Sequence, residues 1–412
     1  MQATQVTEPL APPVSGSSPP MAGHRIESID ILRALTMVLM IFVNDAGALK
    51  KIPEWLDHVK SGVDGIGLAD VIFPAFLFIV GMSLPYAVAN RRRKGDTNWQ
   101  LIHHILFRTL ALIVMGVFLV NGETISKTAT GIGHYTWNTI SCVCFILIWN
   151  VYPKELSQLR VKAAKVLGIT TLAVMAYFYR GSDGGNLFRF SVQWWGILGL
   201  IGWSYLTVAV ITVFSRGRIL LLLAAWVGFS IIGVLYFEDY IGHSGITWYI
   251  PSPIVGGALV GLTMAGVVLS TAFEKLRSEN MRMTLAFVLA AAVLFALTWY
   301  GHKFYPISKL DASLPWAYLC TGITILVFTA VYWIADVRGK AAWFAFIKPA
   351  GTDTLLCYLI PYFLVSLIYV SHIKVPAFFI TGGVGLLKSA IFTGLCVWIT
   401  ARLNRAGVKL KL

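Results

Sequence analysis

The sequence predicts an all-α fold, a polytopic transmembrane helical bundle of about 12 spans with bounds of 10 to 12. Three observations carry that reading. Of 412 residues, 57% are hydrophobic and only 13% charged, with a mean hydropathy of +0.73, a balance outside the range of soluble domains. The apolar residues collect in runs long enough to cross a bilayer. Lys and Arg alternate in density from one connection to the next.

The chain opens on about 25 residues rich in Pro, Ser and Gly, a composition that cannot bury a core and predicts a disordered cytoplasmic tail over 1–25 with no cleaved leader. Residues 26–412 then read as one transmembrane domain. The first two apolar runs bracket a polar loop, as RIESIDILRALTMVLMIFVNDAG, a segment ending in DHVKSGVDG, and LADVIFPAFLFIVGMSLPYA before the basic cluster RRRK. Polar groups inside a membrane are costly. This hairpin nevertheless carries Asp30, Arg33, Asn44, Asp45 and Asp70 at or near its helix ends, with His58 in the loop.

At about 100° per residue, Arg33 and Asn44 lie within roughly 20° of one another on the first helix, and Asp30 falls near the same stripe. A rise of about 1.5 Å per residue puts roughly 21 Å between Asp30 and Asn44, most of the hydrocarbon thickness. Something held at one end reaches the other only if it is long and thin. In the second helix, Pro74 lies four residues after Asp70 and has no N–H to donate, so the Asp70 carbonyl is expected to be unpaired beside His58.

These residues resemble a known family. The run SIDILRALTMVLMIFVND, the loop histidine and ADVIFPAFLFIVGMS are similar to the N-terminal motif of the heparan-alpha-glucosaminide N-acetyltransferase family and its bacterial relatives. Weaker echoes follow in YTWNTIS, WWGILGLIGWSYL, PISKLDASLPWAYLCTG and GTDTLLCYLIPY. The resemblance implies acetyl transfer from cytoplasmic acetyl-CoA, as cosubstrate, to an acceptor at the far face. It also implies a loop histidine central to catalysis and an asparagine at the end of the preceding helix, positions matched by His58 and Asn44. It places the chain in a bacterial inner membrane and leaves the acceptor open among amino sugars and other glycan-like amines or alcohols.

Further apolar runs occur at about 103–121, 136–152, 164–180, 192–214, 219–237, 253–272, 284–301, 315–335, 353–371 and 383–402. With the N-terminus inside, twenty Lys and Arg fall on the even connections and the C-terminal tail, against nine on the odd connections. That bias predicts both termini cytoplasmic and His58 outside. Trp55, Trp137, Trp194, Trp248, Trp299 and Trp316 would then mark the outer interface. His58, His134, His243, His302 and His372 would each occupy a different outer connection.

The formal net charge of +14 would suggest nucleic acid in a soluble chain, but here it follows from topology and no nucleic-acid partner is expected. The five cysteines, Cys142, Cys144, Cys320, Cys357 and Cys396, lie inside apolar runs and act as small apolar side chains rather than as disulfides or zinc ligands. No His pair has ligand spacing, so no metal is expected.

Within this frame His58 is the candidate general base or acyl carrier, against a solvated loop residue. Asn44 is a candidate donor to the developing oxyanion, against a helix-end cap. Asp70 would orient His58 or bind an acceptor amine, against a carboxylate that serves its own helix N-terminus. Asp30 with Arg33, and Arg91 with Arg92, are candidate CoA contacts; the bland readings are a packing pair and a positive-inside cluster. Lys309, Asp311 and Asp353 are polar marks without an assigned role. Gly257 and Gly261 read as helix-packing residues. A secondary transporter of a small polar or anionic solute is the alternative function, given twelve spans with both termini inside; the halves show no internal repeat. The bilayer is one partner, and a homo-oligomer is left open.

Overall fold

The computed structural model describes residues 26–193, 196–241, 250–373 and 375–412. The tail 1–25 and the expectations for Trp194, Trp248 and His243 lie outside the described residues. Among the described residues, twelve long helices follow the twelve apolar runs in order. They are α1 (Glu27–Ala46), α2 (Leu68–Arg93), α3 (Asn98–Glu123), α4 (His134–Trp149), α5 (Gln158–Phe178), α6 (Ile197–Ser215), α7 (Ile219–Phe237), α8 (Ala258–Leu276), α9 (Asn280–Gly301), α10 (Leu314–Tyr332), α11 (Thr354–Val370) and α12 (Gly382–Arg405). Among the described residues nine helices are long and apolar enough to cross a membrane by themselves; α11 is shorter. Glu27, Asp30, Arg33 and Asp45 keep α1 off that count, and α4 has only 16 residues. The sole strands among the described residues, β1 (Gly181–Asp183) and β2 (Asn186–Phe188), form a small hairpin between α5 and α6.

Hydrogen bonds between connections sort them into two ends. At one, the α1–α2 loop meets the α9–α10 loop (Gly65 N–H to Ile307 O, 3.0 Å) and the α11–α12 loop (Lys50 N–H to Ile380 O, 2.9 Å). At the other, Val151 N–H donates to Lys409 O (2.9 Å), and Asp336 accepts from Glu27 N–H and Ser28 N–H. The first described residues and the C-terminus therefore share the end opposite His58.

Burial separates inner from outer helices. In α2, α3 and α8, 67% of the apolar stretch is buried inside the protein, against 17% in α5 and 11% in α7, so the last two turn their apolar surface to lipid. The centre is built on close backbone approach. A Cβ at Gly81 of α2 would stand 1.8 Å from Thr263 O of α8, and one at Gly266 of α8 would stand 1.9 Å from Phe78 O of α2. Only glycine fits at either place. Of the pair singled out in sequence, Gly257 does pack, its Cβ position lying 2.4 Å from Phe229 O, whereas a Cβ at Gly261 would meet nothing within 4 Å.

The aromatic belt needs a correction. Trp55 and Trp299 are exposed, but Trp137 and Trp316 are each 1% exposed. Their indole N–H groups donate to Phe118 O (2.7 Å) and to Asp70 O (3.1 Å), so they are core residues whose indole N–H is paired with a backbone carbonyl.

Candidate active site

The site forms where the α1–α2 loop enters α2. Asp70 is the third residue of that helix, and one carboxylate oxygen, Oδ2, accepts from Gly67 N–H (3.1 Å) and Val59 N–H (3.0 Å). These bonds serve a helix start that would otherwise expose unpaired donors. Gly67 must be glycine, because a Cβ there would lie 1.9 Å from Asp57 O. The other oxygen, Oδ1, contacts His58 Nδ1 at 2.7 Å and lies 3.6 Å from Lys309 Nζ. Lys309, on the α9–α10 loop, is also 3.0 Å from His58 Nδ1 and 3.5 Å from Nε2.

Nδ1 cannot serve both neighbours. An ammonium only donates, so if Nδ1 accepted from Lys309 no proton would remain for the 2.7 Å contact with the carboxylate. The shorter, charge-assisted bond takes the proton. Nδ1–H therefore donates to Asp70, Lys309 pairs with the carboxylate, and Nε2 keeps a basic lone pair. The Asp70 side chain is 3% exposed and that of His58 42%: the carboxylate is fixed and the imidazole is open to an incoming group. Burial pushes the Lys309 amine below its ordinary value of 10.5, with the Asp70 carboxylate opposing.

Pro74 does free the Asp70 carbonyl, but the carbonyl is not left unpaired. Trp316 Nε1–H donates to it at 3.1 Å and Cys320 Sγ–H lies at 3.8 Å. The proline thus opens an acceptor that docks α10 onto the start of α2, through bonds from residues about 250 positions away.

The remaining predicted residues are dispersed. Asn44 is exposed near the end of α1 and takes no part in the hydrogen bonds joining His58, Asp70 and Lys309. Its neighbour Asp45 instead accepts from Lys388 and Ser389 of α12, tying the two helices together. Arg33 donates to Asp30 (2.9 Å) and to Ser83 of α2 (2.6 Å). Arg91 bonds Asp96 (2.9 Å), and Arg92 bonds the Val213 carbonyl (2.7 Å) at the end of α6. His134, His302 and His58 do not converge: His134 contacts Gly122 O and His302 contacts Asp64.

Two cavities approach each other through the bundle. The inner one, about 380 Å³, opens toward the end carrying the C-terminus and is lined by Arg33, Met37 and Met40 of α1, Phe76 and Ser83 of α2, Arg108 of α3, Tyr358 of α11, and Lys411. The outer one, about 470 Å³, includes Phe73, Trp316 and Lys309, so it reaches the group around His58. Ile197 lines both, and Phe73 and Phe76 sit about a turn apart on α2. Phe73 and Phe76 lie between the two, and the inner cavity carries Arg33, Arg108 and Lys411 beside the carboxylate of Asp353.

Sequence reasoning did not assign Lys309, Arg108 or Lys411 to the site. Lys309 carried a signal as a charged residue on an outer loop within the PISKLDASLPW motif. Arg108 carried one as a lone cation inside an apolar run, where charges mark function.

Residues 25–237 match the family described as domain of unknown function DUF5009. The chain belongs to that family. It is also similar to heparan-alpha-glucosaminide N-acetyltransferase of Mus musculus, 30% identical over 114 residues, 28% of this chain and 17% of the mouse protein. The similarity to the Homo sapiens protein of that name is 30% over 97 residues, 24% of this chain and 14% of the human protein. The matches thus span less than a fifth of those relatives.

Proposed function

We propose that the protein is a transmembrane acetyltransferase that takes an acetyl group from acetyl-CoA at the end carrying the termini and passes it to an amine or hydroxyl of a glycan-like acceptor at the His58 end. The observation that carries the reading is the Asp70–His58 pair beside the outer cavity of Phe73, Trp316 and Lys309, with a second cavity along α1 on its inner side. The similarity to the two N-acetyltransferases supports the reaction class. The excess of Lys and Arg on the connections of that end supports a cytoplasmic orientation for it, in keeping with a bacterial inner membrane.

The residues of the inner cavity fit the cosubstrate. Arg33, Arg108 and Lys411 suit its phosphates, and the apolar wall of Met37, Met40 and Phe76 suits a thin arm. Acetyl-CoA supplies an activated thioester carbonyl. As the acceptor's nitrogen or oxygen bonds to that carbon, the carbon–sulfur bond breaks with its electron pair leaving on the CoA sulfur as thiolate, and His58 Nε2 takes the acceptor's proton. Asp70 holds Nδ1–H and stabilises the imidazolium that results. Asn44 is assigned to the carbonyl oxygen as negative charge develops on it.

The test is acetyl transfer by the purified protein in liposomes, with labelled acetyl-CoA and a panel of amino sugars, amines and alcohols, beside an acetyl-CoA binding measurement. Saturable binding together with transfer to at least one acceptor is expected. A protein that binds no acetyl-CoA but moves a solute across the membrane would sink the proposal.

A further inference from the structure

The face of α1 turned away from the inner cavity borders a second space. Val38, Leu39 and Phe42 form one wall of a groove of about 700 Å³, with the segment around Ile347 and Pro349 as its floor and α12 as the opposite wall. Along α12 the groove is lined by Ala390, Thr393, Gly394, Val397, Ala401 and finally Arg405, one face at helical spacing. Its rim carries two exposed aromatics, Phe346 (77% exposed) and Trp398 (54%). Helix packing does not require the glycine, since a Cβ at Gly394 would meet nothing within 4 Å. The space is therefore open at that point.

Length and charge identify what fits it. The helix from Ala390 to Arg405 rises about 22 Å, which matches one leaflet, about 15 Å of hydrocarbon plus about 5–7 Å of headgroup region. The cation sits at the headgroup end. Arg405 lines the groove there, and among the described residues no carboxylate does. Arg402, one turn earlier, is held over the Trp398 ring at 5.0 Å, an aromatic–cation pairing suited to the membrane interface.

We propose that this groove is a binding site for one phospholipid with an anionic headgroup, its acyl chain lying between α1 and α12 and its phosphate against Arg405. The lipid would support the outer face of the helix whose inner face lines the cationic cavity. The inference does not depend on the acetyltransferase reading.

The experiment compares the full chain in nanodiscs of phosphatidylcholine alone and of phosphatidylcholine with phosphatidylglycerol, reading retained lipid by native mass spectrometry and the thermal midpoint on the same samples. The wild-type protein should retain one phosphatidylglycerol with about fivefold preference over phosphatidylcholine, the increment of about one surface cation, and melt higher in its presence. Arg405→Gln should bring the preference near unity. Gly394→Leu should abolish retention while leaving the midpoint in phosphatidylcholine within a few degrees, because leucine suits a helix better than glycine. Should that variant fail to fold, Ala401→Leu fills the Arg405 end instead. Equal retention of the two lipids by wild type, or undiminished retention by the filled variants, would overturn the site. So would a wild-type dimer that Gly394→Leu converts to monomer, since the occupant would then be a second copy of the chain.

Discussion

Two helices begin at the His58 end of the bundle with a histidine close by, and the two histidines are held differently. At the mouth of α2, His58 Nδ1 faces a carboxylate at 2.7 Å, with an ammonium 3.5 Å from Nε2. At the mouth of α4, His134 Nδ1 meets the Gly122 carbonyl at 2.7 Å, and its Nε2 is approached by the Asn138 amide at 3.5 Å. Each ring has a fixed tautomer, but only one is prepared to become charged. A carboxylate stabilises an imidazolium strongly, whereas a peptide carbonyl does so weakly. Each Nε2 has a protein donor at 3.5 Å, the Asn138 amide beside His134 and the Lys309 ammonium beside His58, so the two rings differ at Nδ1. Position in the membrane is common to both; the partner on Nδ1 distinguishes chemistry from architecture.

The largest expected effect separates the two rings directly. His58→Ala should lower acetyl transfer by about 10²–10⁴ with the fold retained, the usual cost of losing a general base. His134→Ala should leave transfer within about threefold and cost about 1 kcal/mol of stability. Comparable losses of transfer in both variants would break the comparison. Asp70→Asn comes next, because the amide keeps the shape but not the charge. A loss of about 10²-fold in kcat is expected, with KM for acetyl-CoA little changed. Stability should also fall by about 1–3 kcal/mol through the missing ion pair.

Lys309 gives a smaller and pH-dependent effect. Burial lowers its pKa below 10.5, with Asp70 opposing, so it sheds its proton at a lower pH than a free amine does. If the pairing with Asp70 needs the cation, transfer should decline on the alkaline side from below pH 10.5. Lys309→Arg should carry activity to higher pH, because a guanidinium stays protonated. An alkaline limb unmoved by that substitution would show that Lys309 only fills space. The mildest effect belongs to the inner cavity, where Arg108→Ala should raise KM for acetyl-CoA about tenfold without lowering kcat, as loss of uniform binding does.

Much of this arrangement can be read from the chain. The twelve helices follow from apolar runs and their spacing, and His58 and Asp70 come together because a loop of limited length joins them at the start of one helix. Lys309 is 251 residues from His58, and no periodicity or local motif places it there. The docking of α10 through Trp316 onto the carbonyl freed by Pro74, and the bonds of Ile307 to Gly65 and Asp64, bring it there. The proline was legible as a freed acceptor, but its distant donor was not. Arg91 and Arg92 carry a strong basic signal yet bond Asp96 and the Val213 carbonyl, while the isolated Arg108 and the tail residue Lys411 line the cavity. Charge density along the chain reports topology; burial of a single charge depends on neighbours that only the fold supplies.

The central claim is that the acetyl group enters at one end of the bundle and leaves at the other, past His58. Sealed proteoliposomes sorted for a single orientation test it, with labelled acetyl-CoA confined to the face carrying the C-terminus and the acceptor confined to the opposite face. The account predicts labelled product on the His58 side, CoA released on the side of the termini, and no product when the two reactants exchange compartments. Product formed only when both reactants share the compartment of the termini would contradict it.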